Sequence, residues 1–117
     1  MTNEIQYSIE WTIKPGGLDA FKELAKQIIP MVESESGMKG YQWYFNSDET
    51  KCYTVEWLAD SDAIMAHLGN VGEELPKLFG HSDITRFEVF GDPSAQAKEA
   101  LAGLGAVFNG YFGGFTK

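Results

Sequence analysis

The chain is poor in the residues that would tie it to an oxidising compartment or to a polyanionic partner. Cys52 is the single cysteine among 117 residues. An intrachain disulfide is therefore impossible, and a reducing compartment is expected. Lys and Arg number 9 against 17 Asp and Glu, which gives a formal net charge of −8. Nucleic acids and anionic membrane surfaces are therefore not expected as partners, because both are bound through clustered basic side chains.

Long apolar runs are also missing. None reaches the roughly 18 residues that a membrane span needs, and no charged segment followed by an apolar stretch opens the chain as a signal peptide does. We therefore expect a cytoplasmic protein. The hydrophobic content of 44% and aromatic content of 14% suffice for a core and are too apolar for disorder. The length fits one compact domain.

Segments with the two-residue hydrophobic period of a strand alternate along the chain with segments that have the 3.6-residue period of a helix. The predicted elements are a strand at 5–13, a helix at 18–32, strands at 41–45 and 52–57, a helix from Asp60 that breaks near Gly69 and Gly72, and a strand at 84–90. The order β-α-β-β-α-β predicts an α+β, ferredoxin-like fold in which an antiparallel sheet carries two helices on one face. This domain is expected to occupy residues 1–91.

Local signals refine these boundaries. Asp60 is expected to cap the second helix, and Asn70-x-x-Glu73 resembles a capping box that restarts it. Pro30 should kink or shorten the first helix. Residues 92–117 add a short helix, predicted to begin at Asp92-Pro93, and a tail rich in Gly and aromatic residues. This extension is expected to pack on the same domain or on a partner chain.

Strand alternation predicts which residues face away from the helices. These are Gln6, Ser8, Glu10, Thr12, Gln42, Tyr44, Thr54, Glu56, Arg86 and Glu88. A solvated polar face is one interpretation, and a sheet-to-sheet homodimer with paired charges is the other. The apolar residues Tyr44 and Phe90 on this face favour the dimer. Glu56 is then expected to pair with Arg86 or with a partner-chain group, and Glu88 to have a structural or dimer role.

Aromatic side chains dominate the face that alternation turns toward the helices. They are Tyr7, Trp11, Tyr41, Trp43, Tyr53, Trp57 and Phe87. Such a cluster is either a plain aromatic core or the wall of a flat pocket, since aromatic walls suit aromatic ligands by offset stacking. The pattern leaves both interpretations open.

His67 is the main candidate for chemistry. It shares one helix face with Ile64, Leu68 and Val71, so its ring points toward the core. It is either a structural histidine bonded to a carbonyl or a Tyr hydroxyl, or the base of a pocket. Desolvation disfavours the imidazolium, which predicts a neutral ring that can accept a proton. Asn70 either caps the helix or binds a substrate oxygen.

Metal and cofactor chemistry find little support in the sequence. His67 and His81 lie far apart in the pattern, and Cys52 has no cysteine companion. A Gly-rich phosphate loop is also missing. No cofactor and no metal are therefore predicted.

Two segments resemble the antibiotic biosynthesis monooxygenase (ABM) domain family. One is the strand from Ile9 to Gly16 where it enters a helix. The other is the strand-to-helix run Glu-x-x-x-Asp-Ser-x-x-x-x-x-His from Glu56 to His67. The resemblance covers about residues 5–91 and implies a homodimeric α/β barrel.

The resemblance also implies an activity. The family includes cofactor-independent monooxygenases of quinols and anthrone-like polyketides, as well as haem-degrading members. It therefore implies a small aromatic substrate, O₂ as co-substrate and His67 as the catalytic base, with Trp11, Trp43, Tyr53, Trp57, Phe87 and Asn70 as substrate-binding candidates. A dimeric module that binds an aromatic ligand without turnover is the alternative. Haem on His67 ranks lower, because an acidic chain suits haem propionates poorly.

Overall fold

A five-stranded mixed sheet with helices packed on one face forms the computed structural model, which describes residues 3–117. The elements in chain order are β1 (Ile5–Ile13), α1 (Leu18–Glu33), β2 (Met38–Phe45), β3 (Lys51–Leu58), α2 (Ser61–Asn70), α3 (Leu75–Phe79), β4 (Ser82–Phe90), α4 (Ala95–Ala102) and β5 (Val107–Asn109). The strand order is β2-β3-β1-β4-β5. The first four strands are antiparallel, and β5 joins β4 in parallel. The ferredoxin-like prediction is confirmed.

The helix ends follow the local signals in part. The Asp60 side chain caps α2 by accepting a hydrogen bond from the Ala63 amide at 2.8 Å, as predicted. Pro30 lies inside α1, which continues for three residues beyond it to Glu33. The predicted capping box is wrong, because α3 begins at Leu75 without a side-chain cap and the Asn70 amide bonds elsewhere.

The extension packs on its own chain. Ser94, and not Asp92, caps α4, so the predicted start at Asp92-Pro93 was two residues early. Ala97 and Leu101 of this helix are fully buried. The following strand β5 pairs with Glu88–Phe90. Beyond it, Tyr111, Phe112 and Phe115 are exposed.

The pairing register of β3 reverses its predicted faces. Glu56 lies opposite Tyr7 of β1 and Tyr41 of β2, both of which face the helices. Thr54 and Glu56 are therefore buried on the helix side. Their predicted place on the face that points away from the helices, which we call the open face, was wrong. Tyr53 and Trp57 lie on the open face, so their predicted place among the helix-facing aromatics was also wrong.

The described helices are all too short or too polar to cross a membrane. The core lies between the sheet and the helices. Its largest fully buried side chains include Phe21, Ile28, Leu58, Ile64 and Leu101.

Candidate active site

His67 lies between two carboxylates. Its Nδ1 is 3.0 Å from Glu35 Oε2, and its Nε2 is 3.1 Å from Glu56 Oε1. The side chains of His67, Glu35 and Glu56 are only 6%, 9% and 3% exposed. The three residues form a buried carboxylate–imidazole–carboxylate array, which we call the triad.

Three separate segments position the triad. Glu56 is held in the middle of β3, between β1 and β2. His67 lies near the end of α2, on the face that packs toward the sheet. Glu35 follows α1 in the turn that leads to β2. Gly37 allows this turn to approach α2, since a Cβ at that position would lie 2.5 Å from the Ala63 Cβ.

The two carboxylates determine the protonation of the ring. Burial works to lower the pKa of His67, but the close contact and charge of Glu56, and then the hydrogen bond and charge of Glu35, outweigh it and raise the pKa above 6.5. The triad therefore favours the imidazolium. The expectation that burial alone sets the pKa of the ring was wrong, because neither carboxylate was expected beside it.

Asn70 holds the Glu35 side of the triad in place. Its Nδ2 donates to Glu35 Oε2 at 2.8 Å and to the Met31 carbonyl at 3.0 Å. The amide thus connects the end of α2 to the end of α1 and fixes one oxygen of Glu35. Neither predicted role of Asn70, a helix cap or a substrate contact, included this hydrogen bond to Glu35.

Two phenols complete the polar part of the site. Burial, followed by the charge of Glu56, raises the pKa of Tyr7 well above its usual value, and the same two causes raise the pKa of Tyr41. Both phenols are therefore neutral hydrogen-bond donors. The Tyr41 ring also meets the imidazole of His67 edge-on, with centroids 5.7 Å apart.

A small cavity lies against the triad on its Glu56 side. Its volume is about 30 Å³, which holds one or two water molecules, whereas a cavity of about 150 Å³ accepts benzene. His67 and Glu56 line it, and Glu35 does not. Leu101 of α4 and Leu104 after it also line the cavity. Side chains must therefore move before an aromatic molecule can enter.

The remaining predicted binding residues divide between the two faces of the sheet. Trp11, Trp43 and Phe87 line the cavity. The Trp11 Nε1 donates to Thr54 Oγ1 at 3.1 Å. On the open face, the Tyr53 hydroxyl donates to Glu10 at 3.0 Å and the Trp57 Nε1 donates to Glu4 at 2.7 Å.

The predicted pairing of Glu56 with Arg86 is wrong. Arg86 lies on the open face, where its Nε is 3.4 Å from Glu88 Oε2. Glu56 points to the other side of the sheet and faces His67. Glu35 was missed altogether, because it follows the first helix in a turn with no hydrophobic period. Glu56 had a signal, since antiparallel pairing brings it opposite Tyr7 and Tyr41.

The triad does not have the form of a metal or haem site. Its carboxylates lie on opposite nitrogens of the ring, and no group of three or more His, Cys, Asp or Glu within residues 3–117 is arranged to hold a metal ion. Haem iron needs a free imidazole nitrogen. Both nitrogens of His67 already face carboxylates, so the residues present do not fit haem.

Comparison with known proteins places this architecture in a family. The family model described as antibiotic biosynthesis monooxygenase matches residues 7–72, which is more than half of the chain. The chain belongs to the ABM family. The sequence resemblance is therefore confirmed. No curated protein sequence matches the chain.

Solved structures share the fold. MupZ from Pseudomonas fluorescens matches with a TM-score of 0.90 at 24% identity, covering 100% of this chain and 91% of that one. A conserved protein from Methanosarcina mazei Go1 matches with a TM-score of 0.70 at 18% identity, covering 80% and 95%. SnoaB from Streptomyces nogalater, described as a cofactor-independent oxygenase, gives 0.67 at 14% identity, covering 80% and 97%. The match with MupZ covers the whole chain, so α4 and the tail are included in the fold that the two proteins share.

Proposed function

We propose that this ABM-family protein is a cofactor-independent monooxygenase of a small quinol-like or polyphenolic substrate. The observation that carries the proposal is the buried triad beside an aromatic-lined cavity in a member of a monooxygenase family. Burial strengthens electrostatic interactions within such a site. Proton transfer to or from a bound phenol is the chemistry that this arrangement supports best.

Glu56 and His67 act as one proton-accepting unit. Glu56 and Glu35 raise the pKa of His67, which favours a proton on the ring. A phenolic proton therefore passes to the Glu56 carboxylate, which lines the cavity. The adjacent imidazolium stabilises the negative charge that develops on the phenolate. Glu35 stays behind the ring, where it holds the imidazole in place through Nδ1.

Deprotonation makes the substrate a reductant. The phenolate transfers an electron to O₂, and the resulting organic radical and superoxide combine to form a carbon–oxygen bond. The hydroperoxide then loses water and leaves one oxygen atom on the substrate as a carbonyl. The substrate supplies all the electrons, and the protein supplies the base and a dry cavity. General-base assistance of this kind contributes about 10²–10⁴-fold.

Oxygen uptake tests the proposal. Wild type and Glu56→Gln are compared on a panel of quinols, with Glu88→Gln on the open face as the matched control. We expect uptake by wild type and by the control, and a loss of about 10²–10⁴-fold in Glu56→Gln. Equal uptake by all three excludes Glu56 as the base. Quinol binding by wild type without uptake identifies the protein as a binding module.

We further propose that the protein is a homodimer through its open sheet face. Tyr44, Val55 and Phe90 expose apolar surface on this face, and the aromatic tail lines a groove together with Trp57 and Phe90 of the same face. Large exposed apolar patches in soluble proteins mark interaction sites. Sedimentation equilibrium tests this proposal with Val55→Glu, which is expected to give a monomer. A wild-type monomer at micromolar concentration would refute it.

A further inference from the structure

Trp43 carries a buried donor that lacks an acceptor. Trp11 donates its indole N–H to Thr54, and Trp57 donates to Glu4. The Trp43 Nε1 is also buried, but it makes no hydrogen bond to any group in residues 3–117. The Tyr41 hydroxyl is close to it, although the two groups do not reach hydrogen-bonding geometry.

An unpaired buried N–H is costly and uncommon. Leaving such a group without a partner costs about 1–3 kcal/mol, and most buried polar groups in native proteins are satisfied. Trp43 lines the cavity of about 30 Å³. Its ring meets Tyr41 edge-on with centroids 5.9 Å apart, and Tyr41 in turn meets His67. The ring that carries this donor therefore lines the same cavity as Tyr41, His67 and Glu56.

The other polar groups of the cavity restrict the ligand. The triad combines two carboxyl groups with a single imidazole, so it offers an anion no net positive charge. An anionic ligand would meet these carboxyl groups in a region of low dielectric, where repulsion is strong. An uncharged ligand with one hydroxyl for Glu56 and a second oxygen for an N–H donor meets no such penalty.

We propose that the Trp43 indole N–H is the binding group for an acceptor oxygen of an uncharged, flat diol or hydroxyketone, whose other hydroxyl faces Glu56. This assignment rests on the proposed function for the part played by Glu56. It adds a specificity-determining residue on β2 and a substrate class with two oxygens on opposite sides of a ring. The neighbouring Tyr41 hydroxyl offers a second contact to the same oxygen.

The ¹H–¹⁵N resonances of the three indoles provide the test. Hydroquinone is titrated under anaerobic conditions, so that binding is measured without turnover, with toluene as the apolar probe and 4-hydroxybenzoate as the anionic probe. We expect hydroquinone to move the Trp43 indole proton downfield as it gains an acceptor. The Trp11 indole also lines the cavity but already donates to Thr54, so it should show a smaller shift, and the Trp57 resonance on the open face should stay fixed. Toluene is expected to leave the Trp43 hydrogen-bonding shift unchanged, and 4-hydroxybenzoate is expected to bind more weakly than hydroquinone.

Matched substitutions complete the test. Trp43→Phe is expected to weaken hydroquinone binding by about 3- to 10-fold, equivalent to one hydrogen bond, and to leave toluene binding unchanged. Trp57→Phe, on the open face, is expected to change neither hydroquinone binding nor toluene binding. Thermal unfolding checks that both variants fold. The proposal is overturned if hydroquinone does not bind, if the Trp43 resonance stays fixed during binding, or if a retained water remains its partner. It is also overturned if Trp43→Phe binds hydroquinone as wild type does.

The outcomes separate this inference from the proposed function. If the Trp43 resonance responds as expected but no quinol supports oxygen uptake, the binding assignment stands and the oxygenase proposal fails. If uptake occurs and Trp43→Phe retains wild-type KM and hydroquinone affinity, the oxygenase proposal stands and the role of Trp43 is refuted.

Discussion

Glu56 Oε1 lies 3.1 Å from Nε2 of His67 and joins the middle of a strand to the end of a helix. Both side chains are almost wholly buried. Burying charge is costly unless the charges are paired. With Glu35 on the opposite nitrogen, the imidazole ring lies between two carboxyl groups. Apolar residues of similar volume often stabilise a core better than a buried ion pair does. We therefore expect the triad to serve the reaction and not the stability of the fold.

Removing the Glu56 charge should change the protonation of His67. In Glu56→Gln, burial continues to disfavour the imidazolium while the largest opposing contribution is lost, so the pKa of His67 is expected to fall. The imidazole resonances of His67, followed by NMR across the pH range, measure this change. His81→Gln removes the other histidine and assigns the signal. An unchanged pKa of His67 in Glu56→Gln would contradict the contact.

The raised pKa of His67 also predicts how stability depends on pH. The folded state binds the proton more tightly than the unfolded state, whose histidine titrates near 6.5. The stabilisation is therefore complete below pH 6.5 and is lost as the pH rises through the folded-state pKa. Urea unfolding from pH 6 to pH 9 should show a declining free energy of unfolding. His67→Gln should flatten this decline, and His81→Gln should leave it unchanged.

Asn70 is expected to act on catalysis through Glu35. Asn70→Ala removes the donor to Glu35 and should cost about 1 kcal/mol of stability. Asn70→Asp should lower the stability further, since it places a second carboxylate beside Glu35. As a positioning residue, Asn70 should lower kcat and leave KM unchanged. A change confined to KM in both variants would instead place Asn70 in contact with substrate.

The main elements could be predicted from the sequence, and the site could be predicted only in part. β1 was predicted at its observed bounds, because strict alternation at Ile5–Ile13 is a strong local signal. In β3, the apolar bulk of Tyr53 and Trp57 favoured the wrong face. A one-residue change in register reverses every side chain of a strand. Pairing with β1 and β2 decided the register, and it buried Glu56.

Glu35 illustrates a different limit. It lies in the turn after α1, and its place beside His67 depends on how closely that turn approaches α2. That approach depends on Gly37, where a Cβ would clash with Ala63. Such a tertiary contact has no period in the sequence. For this reason the sequence predicted neither the carboxylate of Glu35 beside His67 nor its part in raising the pKa of the ring.

Tyr53 and Trp57 offer a direct check on the corrected register. Because both lie on the open face and bond to Glu10 and Glu4, Tyr53→Phe and Trp57→Phe should leave kcat/KM within about twofold of wild type. Tyr41→Phe, which alters a helix-facing ring in contact with His67, is the matched comparison and should lower activity. Steady-state kinetics on any active quinol measures the difference. A large loss in Trp57→Phe with no loss in Tyr41→Phe would place the substrate on the other face.

Access to the cavity should depend on two leucines that line it from the C-terminal side. Leu101 is fully buried in α4, whereas Leu104 follows the helix and is half-buried. Leu101→Ala should cost about 2–5 kcal/mol, because it removes buried contacts in a tightly packed core. Leu104→Ala should cost less and enlarge the cavity of about 30 Å³ at its edge. We therefore expect Leu104→Ala to bind hydroquinone more tightly and to lower KM, with kcat unchanged. If Leu104→Ala lowers affinity instead, the leucine is part of the wall that holds the ligand, and entry takes place elsewhere.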